Sequence, residues 1–103
     1  MSVVTQSGSL APGVQTREAI TCVAANTDYP GAATIPAWAT RVVVFANNAA
    51  AVAQGEATTA AVGVPITANT PRSFGVDPDA GDGKIHVQSP TAGTVVQVGY
   101  YRD

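Results

Sequence analysis

Acid–base chemistry in this chain would have to run through His86, its only histidine. A catalytic dyad or triad needs a nucleophile within hydrogen-bond reach of such a base, and a third group to orient the base. Serines and threonines are plentiful, but no nucleophile-elbow sequence surrounds any of them. His86 stands between Ile85 and Val87 in a run of period two. That spacing turns it away from the core, toward solvent or a neighbouring subunit. The expectation is a surface or interface histidine and no enzyme.

Cation chemistry has one candidate, the acidic loop Asp77-Pro78-Asp79-Ala80-Gly81-Asp82-Gly83. Calcium takes several oxygen ligands, and alternate aspartates in a glycine-containing loop can supply them. The spacing drifts from that of an EF-hand, however, and the closing bidentate glutamate is missing. Asp, Gly and Pro are also the residues any hairpin loop uses. The loop therefore reads as solvated, and no metal or other cofactor is expected. Cys22 is the only cysteine, so no disulfide can form within one copy. Its setting in the run 19–25 is that of a small buried hydrophobe.

Trp38, Tyr29, Tyr100 and Tyr101 could form a sugar-stacking platform, and Trp38 falls in a loop before a strand, where recognition residues are often displayed. A single Trp in a domain of this size more often anchors the core or a subunit contact. The five cations, Arg17, Arg41, Arg72, Lys84 and Arg102, are scattered. Either they are solvated or they link subunits, since arginine is favoured at interfaces. The residues assigned to an interface are Trp38, Arg41, Phe45 and Tyr101.

These side chains need a scaffold, and the rest of the sequence describes one. The chain has 103 residues, enough for a single domain with one core. Its formal net charge is −2 with no basic stripe, so nucleic acid is not an expected partner. No charged segment followed by an apolar one opens the sequence, and nothing approaches the ~20 apolar residues of a membrane span. Synthesis in a cytosol without export, and no membrane partner, are the expectations. The apolar residues are mostly Ala and Val, which make a thin core. A domain of this kind gains from burying further surface against copies of itself or a partner.

Residues 1–17 are polar and carry a Pro12-Gly13 turn. They read as an N-terminal arm with one short strand, packed on a sheet edge or a neighbour, and residues 18–103 read as the folded domain. Within that domain short extended runs alternate with turn residues, and no helix pattern intervenes. The runs are 19–25, 40–47, 50–55, 62–66, 71–76, 84–89 and 94–101, with 26–31 a turn cluster. Turn signals about every eight to twelve residues indicate a small all-β sandwich or jelly-roll-like barrel of roughly 7–9 antiparallel strands. Val42, Val44, Ile85, Val87, Val96 and Val98 are the expected core. The strand 40–47 is apolar on both faces, so it is central or its outer face is covered.

Four segments carry a likeness to known proteins. They are Ile35-Pro36-Ala37 leading into Arg41–Asn47, then Val52-Ala53-Gln54-Gly55-Glu56-Ala57-Thr58, then Val64-Pro65-Ile66-Thr67-Ala68-Asn69-Thr70-Pro71, and finally the stretch from Ile85 to Val98 with its Ala92-Gly93-Thr94 step. In this order they resemble small bacteriophage virion proteins over residues 18–101. The resemblance implies a β-sandwich or jelly roll and the role of a head decoration (cement) protein. It also implies a place on the capsid surface after synthesis in the host cytoplasm, the major capsid protein or other virion proteins as partners, and a homo-oligomer. It brings no catalytic residues with it. A tail, collar or fibre accessory protein, or a carbohydrate-binding module, is the alternative.

Overall fold

Each run read as extended forms a strand. The computed structural model describes residues 16–59 and 62–102. Its strands are β1 (Thr16–Cys22), β2 (Tyr29–Pro30), β3 (Arg41–Ala46), β4 (Ala50–Gln54), β5 (Val64–Ile66), β6 (Arg72–Gly75), β7 (Ile85–Gln88) and β8 (Thr94–Tyr101). They form two antiparallel sheets, β1-β8-β3-β6 and β2-β7-β4-β5, here called sheets A and B. The sheets pack together in the arrangement of a small β-sandwich. The chain visits them as one long hairpin: β4 pairs with β5, β3 with β6, β2 with β7 and β1 with β8. Folding this ribbon over itself adds the pairs β3·β8 and β4·β7, which complete the sheets.

Alternation sets which side of each strand meets the core. Val42, Val44, Ile85, Val87, Val96 and Val98 are each no more than 1% exposed and share one cluster with Ile20, Cys22, Ile66 and Tyr100. The hydroxyls of Ser89 and Thr94 enter this core satisfied. Ser89 Oγ donates to Ala49 O at 2.7 Å and lies 3.0 Å from Thr94 Oγ1, which itself donates to Thr91 O. At the opposite end of β8 the accounting differs. The Glu18 Oε1 and Tyr100 OH atoms are buried with no hydrogen-bond partner among the described residues. Burial, and then the Glu18 charge, push the Tyr100 pKa up to about 12.

Some boundaries differ from the sequence reading. Among the described residues β1 spans Thr16–Cys22, so Thr16 and Arg17 pair in sheet A; residues 1–15 of the expected arm lie outside the described residues. β1 stops at Cys22, and Val23 is 70% exposed. The expected turn cluster 26–31 contains β2, a two-residue strand whose register sets Tyr29 against Val87 and Pro30 against His86. Pro30 has no N–H to give a ladder, which keeps this strand short and at an edge.

Candidate functional site

The two outer faces of the sandwich are built differently. On sheet B, His86 points away from the core as its parity requires, yet it is only 6% exposed. Its Nδ1 lies 2.9 Å from Asp28 Oδ2 and its Nε2 lies 2.7 Å from Asp82 Oδ2. Asp28 precedes β2, and Asp82 belongs to the acidic loop before β7. Asp28 Oδ1 also accepts the Thr58 N–H at 2.8 Å and the Thr58 hydroxyl at 2.7 Å, tying in the segment after β4. The expected surface histidine is thus a clamp that gathers three connections over sheet B. Burial opposes a charge on the ring, but the hydrogen bonds and charges of Asp28 and Asp82 outweigh it and hold the His86 pKa above its ordinary value. Burial likewise pushes the Asp28 carboxyl up, and bonds from His86 and Thr58 bring it below the usual range. The bond from His86 is the main reason Asp82 is lowered. An imidazolium donating to both carboxylates accounts for all three directions.

The acidic loop is engaged with its own backbone. Asp82 Oδ1 accepts the Lys84 N–H, Asp77 Oδ1 accepts the Asp79 N–H, and Gln54 Oε1 accepts the Asp77 N–H. Its backbone presses on the turn after β4: Asp82 N donates to Gly55 O at 3.1 Å. A Cβ at Gly81 would fall 1.9 Å from that same oxygen. Among the described residues no group of three or more His, Cys, Asp or Glu side chains is placed to hold a metal ion.

On sheet A no described segment crosses the outer face. Register places Arg41 beside Tyr101, Val43 beside Gly99, and Phe45 beside Gln97, while Arg17 and Ala19 of β1 border Gly99 and Gln97. Arg41, Val43, Phe45 and Tyr101 are all half-buried, with no described segment laid across them as on sheet B. Arg41 Nη2 donates to Ser73 Oγ at 3.1 Å, and Ser73 Oγ lies 2.7 Å from Tyr101 OH. Three of the four residues assigned to an interface therefore converge: Arg41, Phe45 and Tyr101. Trp38 does not join them. It lies in the turn before β3 and packs against the edge of the core. The sugar-stacking platform is not assembled either, because Tyr100 is buried and the Tyr29 hydroxyl accepts the Ala24 N–H at 2.8 Å.

Sequence reasoning missed Asp28 and Asp82 as partners of His86, Thr58 as a donor to Asp28, and Val43, Gln97 and Gly99 as members of the outer face of sheet A. The last three share the parity of Arg41, Phe45 and Tyr101, so their signal was present. Asp28 lies 58 residues from His86, and no local pattern joins them. Comparison with protein-family models, curated proteins and solved structures gives no significant match.

Proposed function

We propose that this chain is a structural protein of a bacteriophage particle, built as a jelly roll and serving as a decoration protein on the capsid surface. The observation that carries the reading is the strand order. An antiparallel ribbon whose paired strands number one with eight, two with seven, three with six and four with five is the wrapped double Greek key of a jelly roll, an architecture used in viral capsid domains and in lectins. The disassembled aromatic platform favours the first use over the second. The resemblance across residues 18–101 points the same way.

The role is adhesion without catalysis. The outer face of sheet A offers Val43 and Phe45 for apolar burial, with Arg41 and Tyr101 as hydrogen-bonding members. Tyr and Arg are enriched at interface anchors. A contact of standard size removes about 800 Å² per partner from water, burial that the thin Ala- and Val-rich core lacks.

The test is to add the purified chain to undecorated phage heads and follow co-sedimentation and thermal rupture. Saturable binding at a fixed number of copies per head, with rupture at higher temperature, is the expected result. Binding to isolated tails alone would move the protein to the tail. Binding to neither, with retention on a glycan array, would replace the proposal with carbohydrate recognition.

A further inference from the structure

The outer face of sheet A is shaped: Arg17, Ala19 and Gln97 are exposed, Val43 and Phe45 half-buried, and Gly99 buried between them. Gly99, in the interior strand β8, contributes no side chain between Arg17 and Val43. A Cβ there would lie 3.3 Å from Val43 Cγ1 and 3.9 Å from Arg17 Cγ. The gap deepens a groove of about 460 Å³ with Ala19, Val43 and Phe45 as apolar lining and Arg17 and Gln97 as polar lining. Glu18 borders the groove, but its carboxylate turns to the opposite side of β1, where Oε2 accepts the Ala32 N–H. No carboxylate from the four strands of sheet A faces outward, and Arg17 is exposed with no ion-pair partner among the described residues.

The complementary chemistry is at one end of the same molecule. Asp28 and Asp82 are engaged by His86, and Glu18 by Ala32. Glu56 and Asp79, by contrast, are exposed, and no described group pairs with their carboxylates. They flank the contact between Gly55 and the acidic loop, and the half-buried Pro78 and Ala80 adjoin Asp79 in sequence. This tip is held in shape by the Gly55–Asp82 bond, by Gln54 on Asp77, and by Asp77 on Asp79. Little ordering entropy would therefore be lost on docking.

We propose that the groove over Gly99 receives the acidic tip of a second copy of this chain, with Asp79 facing Arg17, so that copies join head to tail. This rests on the reading of the outer face of sheet A as an adhesive surface, and it assigns that surface a partner. Two different patches meet, so the association closes into a ring if the rotation permits and otherwise grows as an open string.

Sedimentation velocity over a concentration series, at about 50 mM and about 500 mM salt, tests the proposal, since screening weakens exposed ion pairs. The wild-type chain should self-associate and do so less at high salt. Arg17→Glu and Asp79→Arg should each weaken association by roughly tenfold without lowering the melting temperature. Mixing the two single variants, or combining both changes in one chain, should restore it. Gly99→Val, which fills the groove and leaves every charge in place, should also weaken association. A chain that is monomeric throughout, or one whose association ignores salt and both reversals, overturns the proposal. If Arg17→Glu is silent in sedimentation while Phe45→Asp abolishes binding to phage heads, the surface is adhesive but its partner is not a second copy. If Phe45→Asp changes neither measurement, the adhesive reading of that surface fails as well.

Discussion

The outer faces of the two sheets solve the same problem in opposite ways. Each sheet of a sandwich has one side against the core and one side left over. Sheet B has its left-over side roofed at His86 by chain segments, fastened through two carboxylates on one imidazole. Sheet A leaves Val43, Phe45 and Tyr101 half-buried beside arginines, with the gap at Gly99 between them. A polar cluster that is satisfied within one chain fixes that chain's loops. An apolar face that no described segment roofs is the one on which the proposed contact rests.

Substitutions separate these cases, and the core sets the upper bound. Val44→Asp places a charge at a position with 0% exposure inside the hydrophobic cluster. The expected outcome is loss of folding, read as loss of the β-type circular dichroism spectrum. Next comes the roofed face. His86→Ala leaves Asp28 and Asp82 facing one another without the group that held both, and it should lower the unfolding free energy by about 2 kcal/mol or more in urea titration. An unchanged midpoint would mean the clamp does not hold the loops.

The pH profile is the third and gentler probe. His86 has a raised pKa in the folded chain, so its contribution is complete below its unfolded value and is lost as pH rises through the folded value. Asp28 and Asp82 are lowered, so theirs is present above the unfolded carboxylate range and is lost as pH falls through their folded values. Thermal stability should therefore peak in the mildly acidic range between these limits, and the alkaline decline should vanish in His86→Ala. The smallest effect on folding belongs to the outer face of sheet A. Phe45→Ser should change stability by no more than about 0.5 kcal/mol while abolishing the proposed binding to phage heads. A large loss of stability there would make Phe45 part of the core and end the contrast.

Much of this architecture was legible because period two is a local signal. The parity of Val42, Val44, Val96 and Val98 assigned the core, and the opposite parity puts Arg41, Phe45 and Tyr101 on outward positions. Their convergence was not legible, since it depends on β3 pairing with β8 from far along the chain. For His86 the side of the strand was right and the exposure wrong. A residue's side is fixed by its neighbours in sequence, whereas what covers it arrives from elsewhere, here from Asp28 and Thr58. The strand β2 escaped notice because two residues, one of them proline, are too few to show an alternation.

The wrapped ribbon also sets an order of events during synthesis. β8 is the last of the eight strands to be made, yet in sheet A it lies between β1 and β3. Until it emerges from the ribosome, β1 has no sheet A partner among the described strands and β3 has only β6. A nascent chain at that stage carries Val42, Val44 and Ile20 on strands with open edges, the kind of surface on which partly made chains aggregate. Sheet A therefore closes after β8 has been released, through contacts that span nearly the whole described chain, and its closure belongs to the slow end of small-domain folding, about milliseconds to seconds.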